Sequence, residues 1–371
     1  MSSSAILPPD AASPRYPDSI RAALRGLALG DALGYPLELL SQREITEAYP
    51  FDQEDFARKV LASGVIASDD TQLSLYLLDA LNEVLEWNNA GSAADELACM
   101  WLALLRWYRT TGNPQPENAP YSLDREIDSF TELKHRCGPG KATLRALASG
   151  EMQMMEKNIN PEALGTGALV RSLVVGFLPV EDVATVVGLA SRSAALTHGH
   201  PEAIISACAA ALLMRACLSA RGGQAPLASA VDSVIAWLDT LPVPSLPEPT
   251  GRTLAALKAA RAASSKLKGF PLDQASLKEH FGENGWLAPA VLGQAVAVAL
   301  AWEQDGAESA LPALAAASAV DGDSDSIAAI TGALVGAVGG SKVLPAELVE
   351  KIDLLPVIAH VEENWLRQLG I

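Results

Sequence analysis

Apolar residues along this chain recur at intervals of three and four, the spacing that keeps one helix face turned to a core. The first stripe is Ile20, Leu24 and Leu27, and Asp31 continues it, which puts a carboxylate on the inward face. Asp18 and Ser19 follow Pro17 and are both good N-caps, so that helix is expected to start at one of them, leaving residues 1–17 as a flexible Ser/Pro-rich arm. Gly26, Gly30 and Gly34 repeat every four residues and let another backbone come close. Leu73, Leu77, Leu81 and Leu85 mark a second helix from Ser68 to Glu86, and Leu97, Trp101, Leu104 and Tyr108 a third over about 92–109. Residues 110–140, rich in Pro, Gly and Asn, read as one long loop.

Further helices are predicted at about 141–149, 166–177, 181–195, 201–220, 227–240, 252–267, 286–303, 307–318, 325–338 and 345–369. Pro201 suits a first helical position. The segment LPVPSLPEPTG (241–251) reads as a rigid surface connection. No strand–helix alternation and no fixed-period repeat appears. The fold class is therefore all-α, one large multi-helix domain over 18–371.

Composition narrows the function. Of 371 residues, 49% are hydrophobic, which excludes a disordered chain, and 5% aromatic, which argues against a β-sandwich. The 27 basic and 44 acidic residues leave a net charge of −17. Such a field repels nucleic acid and anionic membrane and tolerates cations. The uncharged run between Glu283 and Glu303 is long enough to span a bilayer, but its Asn, Gln, Gly and Pro favour a buried core helix. Cys99, Cys137, Cys208 and Cys217 have no zinc spacing. Cys208 and Cys217 are expected on one helix with roughly 13 Å of rise between them, too far for a disulfide. With no signal peptide in the first fourteen residues, the expectation is a reduced, cytoplasmic protein.

Two acidic clusters carry the candidate chemistry. Ser68-Asp69-Asp70-Thr71 opens a helix, where capping alone is reason enough for Ser and Asp. Asp321-Gly322-Asp323-Ser324-Asp325-Ser326 precedes a helix apolar on every face, which must be buried and draws its acidic entrance inward. Two carboxylates about 4 Å apart repel by roughly 4 kcal/mol at an effective dielectric of 20, so protons, a distant cation or a metal must neutralise them. Asp and Ser oxygens suit hard cations. An EF-hand is excluded, because its sixth and twelfth positions would be Ser326 and Gly332. If the two helix starts converge, they form a cage for two divalent ions.

These segments resemble the ADP-ribosylglycohydrolase family, which includes the dinitrogenase reductase-activating glycohydrolases. Arg25 to Glu38 (RGLALGDALGYPLE) is similar to its opening GDALG helix. Ser68-Asp69-Asp70-Thr71 resembles its TDDT element, Gly165-Thr166-Gly167-Ala168-Leu169-Val170-Arg171 its GNGAAMR loop, and Thr197-His198 its TH pair. Gly322-Asp323-Ser324-Asp325-Ser326 resembles GDTDT. The resemblance spans roughly 21–340. Serines stand for threonines at 68, 324 and 326 and keep the hydroxyl. Asp321 replaces a common Gly, Thr166 the usual Asn, and Leu169-Val170 the usual Ala-Met.

The resemblance implies a cleft with two Mg²⁺ or Mn²⁺ ions, held by Ser68, Asp69 and Asp70 from one side and by Asp323, Asp325 and Ser326 from the other. It implies catalytic work for Glu38, Asp31 and Asp323. It sets Gly165, Thr166 and Gly167 against the diphosphate and His198 near ribose or phosphate. The implied activity removes ADP-ribose from modified protein side chains, foremost arginine. The alternative is a binding or immunity protein of the same fold, with or without hydrolase activity, that occludes an ADP-ribosyltransferase toxin through its N-terminal arm.

Other groups point less sharply. Gly165-Thr166-Gly167 lacks the third glycine and the preceding strand of a dinucleotide site. His198 and His200 lack a third zinc ligand, and nothing in the spacing of His135 and Cys137 specifies a thiol nucleophile. Trp101, Trp107 and Tyr108 read as core or rim aromatics. An isoprenoid-synthase DDxxD motif fails at Leu73.

Overall fold

The glycine repeat of the first helix decides how the molecule is put together. In the computed structural model this helix, α1 (Arg15–Gly34), lies along a second one near the C-terminus, Ser324–Gly339. A Cβ added at Gly26, Gly30 or Gly34 would collide with the backbone of Gly332, Ala328 or Ser324 and Asp325 respectively. The two backbones therefore touch along three turns. Ser324 Oγ completes the contact by donating to the Gly34 carbonyl at 3.1 Å.

The structure describes residues 6–50, 52–219, 225–240, 246–248, 251–267, 269–282 and 285–371. After α1 come α2 (Gln42–Ala48), α3 (Gln53–Val60), α4 (Asp69–Asn89), α5 (Glu96–Thr110) and α6 (Lys141–Ala148). Then follow α7 (Gly167–Ser172), α8 (Val183–Ala195), α9 (Pro201–Ser219), α10 (Pro226–Thr240), α11 (Arg252–Ala263) and α12 (Gln274–Phe281). The chain closes with α13 (Ala288–Asp305), α14 (Leu311–Ser318), α15 (Ser324–Gly339), α16 (Ala346–Val349) and α17 (Leu355–Gln368). No strand occurs among the described residues, so the all-α expectation holds.

Helix α9 is long and apolar enough to cross a membrane, yet 89% of that stretch is buried inside the protein. It is a core helix, and so is α13, whose residues 288–300 are all buried. All four cysteines are free and buried.

Several boundaries differ from expectation. Helix α1 begins at Arg15, because Tyr16 is buried and donates from its hydroxyl to the Phe177 carbonyl at 2.7 Å. Residues 6–14, expected as part of a loose arm, lie against the body: Ile6 is buried and the Leu7 carbonyl accepts from Ser219 Oγ at 2.6 Å. Residues 1–5, and most of the proline-rich segment 241–251, fall outside the described residues. Helices α2, α3 and α12 were not anticipated, and the single helix expected over 345–369 is split into α16 and α17. The 110–140 segment contains two 3₁₀ turns, Glu126–Ser129 and Thr131–Leu133. Arg125 anchors it by pairing with Asp79 at 2.8 Å and Glu86 at 3.0 Å.

Candidate active site

Backbone contact between α1 and α15 carries the second acidic cluster to the end of α1. There a 3₁₀ turn, Tyr35–Leu37, bends the chain and turns Glu38 back to Asp323 and Asp325. One oxygen from each of these three carboxylates lies within 4.8 Å of the others. Helix α4 delivers the first cluster to the same place. Asp31, fully buried in α1, accepts the Ser68 amide on both oxygens (3.0 and 2.9 Å), the Thr71 amide at 3.1 Å and the Thr71 hydroxyl at 2.5 Å. It thus pins the N-terminus of α4 against α1. Ser326 Oγ then bridges the two clusters by donating to Asp70 Oδ2 at 2.6 Å.

Asp69, Asp70, Asp323, Asp325, Ser326 and Glu38 all line one cleft of about 280 Å³. Two expected site residues do not. Ser68 is the N-cap of α4, and its Oγ accepts the Asp70 amide at 3.2 Å. The Asp31 carboxylate spends its hydrogen bonds on the N-terminus of α4. Asp321, the extra carboxylate, also lies apart: it accepts the Gln42 amide at 2.7 Å and faces Lys278 at 3.8 Å.

The cleft carboxylates carry more negative charge than their surroundings compensate. Burial, with repulsion from Asp323 and Asp31, pushes Glu38 up to about 7. Burial, with Asp31, Asp323 and Glu38, pushes Asp69 up to about 8. Burial raises Asp70 and Asp325 well above the ordinary carboxylate range, with Asp69 and Asp323 the largest repulsive neighbours respectively. No Lys or Arg forms an ion pair with these groups among the described residues. The buried Arg171 guanidinium behind the glycine loop feels the Asp70 and Asp69 charges without pairing to them, and a packed cage of carboxylates and a serine hydroxyl is a donor set that fits a hard divalent cation.

The glycine loop forms the opposite side. Thr166 Oγ1 donates to Asp323 Oδ2 at 2.6 Å and ties the loop to the acidic cluster. Gly165 and Gly167 lie beside His198: a Cβ at either would sit 3.7 Å from the imidazole ring. Arg171, fully buried, donates to the Gly167 carbonyl, the Ser193 carbonyl and Thr197 Oγ1, each at 2.8 Å. Thr197 Oγ1 also meets His198 Nδ1 at 2.7 Å. A threonine hydroxyl that accepts from Arg171 can still donate to Nδ1, and in that arrangement His198 carries its own proton on Nε2, the ring nitrogen nearest Gly165. Burial first, then the Arg171 charge, hold this histidine neutral, down at about 3.

Lys141, Thr143 and Trp286, which sequence reasoning missed, also line the cleft. Gly138-Pro139-Gly140-Lys141 before a helix was the available sign for the first two. Trp286 comes to the rim because Gly285 packs on the Gly322 backbone, where its carbonyl accepts the Asp323 amide at 3.0 Å.

A cleft of this build sets an acidic cluster that could hold a metal ion against a glycine loop. The family model for ADP-ribosylglycohydrolase matches residues 12–370, and the chain belongs to that family. Among solved structures, the fold is similar to that of an "ADP-ribosylglycohydrolase-related protein complex", with a TM-score of 0.57 and 21% identity over 95% of this chain and 99% of that one. No curated protein matches the sequence. The family acts on ADP-ribose linkages and is metal-dependent.

Proposed function

We propose that the protein removes ADP-ribose from modified protein side chains, arginine foremost, with two Mg²⁺ or Mn²⁺ ions in the cleft, and that it works in the cytoplasm. The observation that carries this reading is the convergence of Glu38, Asp69, Asp70, Asp323 and Asp325 at one end of a cleft whose other walls are Gly165–Gly167 and His198. Asp69, Asp70, Asp323, Asp325 and Ser326 would hold the metal. Divalent ions bound there supply positive charge and fixed oxygen positions for a sugar diol.

The chain's own groups have distinct tasks. Glu38 is half-buried, and its carboxyl, poised near neutrality, is placed to take or give a proton at the glycosidic bond. Thr166 fixes the Asp323 carboxylate, and Asp31 fixes α4. Gly165 and Gly167 leave room for the ligand to approach the backbone, and His198 offers a neutral N–H that does not vary with pH near neutrality.

Hydrolysis of ADP-ribosyl-arginine and ADP-ribosyl-serine in Mg²⁺, Mn²⁺ and EDTA tests this. Release of ADP-ribose from the arginine conjugate with metal, and none in EDTA, is the expected result. Full turnover in EDTA would sink it. Occlusion of a transferase gains no support, since residues 6–14 lie against the body.

A further inference from the structure

A second, smaller cavity, of about 120 Å³, shares Trp286 with the cleft but takes none of its carboxylates. One face of α12 supplies Gln274, Leu277 and Lys278, spaced by three and four residues. Gln294 of α13 and Asp321 also line it. The two helices touch one residue before Gln294, where a Cβ at Gly293 would lie 2.8 Å from the Phe281 ring. Backbone packing therefore fixes the position of Gln294.

The polar groups of this cavity are unspent. Gln294 is 4% exposed, and its side-chain amide makes no hydrogen bond among the described residues. Gln274 Nε2 is buried and also has no partner among them. Glutamines nearby and elsewhere are satisfied: Gln42 Nε2 donates to the Leu272 and Ala319 carbonyls at 2.8 Å each, and Gln72 Oε1 accepts from Trp107 at 3.0 Å. Native interiors pair nearly all such groups with protein, water or ligand. The two charges in the cavity balance. Lys278 Nζ stands 3.8 Å from Asp321 Oδ2, while Asp321 Oδ1 accepts the Gln42 amide at 2.7 Å. Asp321 stands where the motif it resembles commonly has Gly, so this neutral pair is a feature of the present chain.

We infer that this cavity binds a small neutral carboxamide on a flat ring, a ligand separate from whatever the cleft takes. Asp321 repels a carboxylate and Lys278 an ammonium, so neither ion is favoured there. A sugar of the same size would bury more hydroxyls than two free amides can meet. A carboxamide brings two N–H donors and a carbonyl, the complement of a glutamine amide, which offers both kinds of group. It can pair with Gln294 in both directions while its carbonyl also accepts from Gln274 Nε2. Trp286 and Leu277 supply apolar surface for the ring. The cavity has the volume of roughly four water molecules, room for one ring and little more.

Calorimetry tests this by titrating the wild-type protein with nicotinamide, nicotinate and D-ribose, and the variants Gln294→Leu and Gln274→Ala with nicotinamide. Wild type should bind nicotinamide, and nicotinate at least about 10-fold more weakly, because the carboxylate brings no donor and faces Asp321. Each substitution should weaken nicotinamide binding by about 5- to 10-fold. Equal affinity in wild type and both variants would place the ligand elsewhere and overturn the site. No binding of nicotinamide at millimolar concentration, or tighter binding of nicotinate or ribose, overturns it as well. Should Gln294→Leu not melt cooperatively, Gln274→Ala, at the half-buried start of α12, carries the test. Turnover of ADP-ribosyl-arginine by the same samples reports on the hydrolase reading separately.

Discussion

Two sets of carboxylates do opposite things in this molecule. At the start of α11, the buried Glu202 of α9 accepts the Arg252 amide at 3.1 Å, the Thr253 amide at 2.8 Å and the Thr253 hydroxyl at 2.5 Å. Glu303 at the end of α13 accepts the Leu227 and Ala228 amides at 2.6 and 2.9 Å at the start of α10. Asp31 does the same for α4. These groups meet the free amides of helix ends from a distant part of the chain, so each joins two elements. The cleft carboxylates face one another instead. Burial of several like charges with too few donors and no ion pair costs stability, and a fold keeps such a cluster where a cation or substrate supplies the missing charge.

Substitutions sharpen the contrast. Asp323→Ala should lower turnover by more than about 100-fold, the upper end of what losing an outer-sphere partner costs a metal site, with helical circular dichroism unchanged. Wild-type turnover in that variant would break the comparison at its functional end.

Gly30→Ala forces a Cβ into the Ala328 carbonyl and separates α1 from α15, so it should destabilise the protein by about 3 kcal/mol and weaken metal binding with it. Denaturant melts and a Mn²⁺ titration read both effects.

Glu202→Ala should cost about 2 kcal/mol, because the α11 amides and the Thr253 hydroxyl lose their acceptor. Its turnover should match wild type when assayed well below the melting temperature. A large loss of turnover with unchanged melting would mean that the capping carboxylates are not purely structural.

The smallest expected effect is on pH. Asp69 at about 8 and Glu38 at about 7 lie above their unfolded values near 4, so the folded state holds their protons more tightly. Their contribution is complete below about pH 4 and is lost as pH rises through 7 and 8. His198, held at about 3, has the opposite sign: its contribution is complete above about 6.5 and is lost only as pH falls. Between about pH 6.5 and 8.5 the carboxylates therefore dominate. In chelator the melting temperature should fall across that window by a few degrees, and Mg²⁺ or Mn²⁺ should raise it most at the alkaline end. A flat chelated profile would contradict the electrostatics of the cleft.

Helix positions were legible wherever a stripe was long. The leucines of α4 and the apolar run of α15 place those helices to within a few residues. Short amphipathic helices such as α2 and α12 carry too few turns to stand out from loop. The start of α1 was misplaced because Asp18 and Ser19 read as N-caps, whereas Tyr16 gains a buried hydrogen bond that carries the helix back to Arg15. In the site, Glu38, Asp69, Asp70, Asp323, Asp325, Ser326, Gly165, Thr166, Gly167 and His198 were all marked by local motifs, and they line the cleft. Asp31 and Ser68 were marked by the same motifs, but their oxygens are taken by the α4 N-terminus.

The sequence by itself determined which long segments are helical, that α15 must be buried and that Gly26, Gly30 and Gly34 invite a close backbone neighbour, because periodicity and the missing Cβ are local properties. Only the tertiary structure decided that α15 is that neighbour, that Asp31 braces the start of α4, and that Thr143 and Lys141 join the cleft. Those outcomes depend on which donor meets which acceptor across hundreds of residues, and hydrogen-bond pairing at that range leaves no periodic trace in the chain.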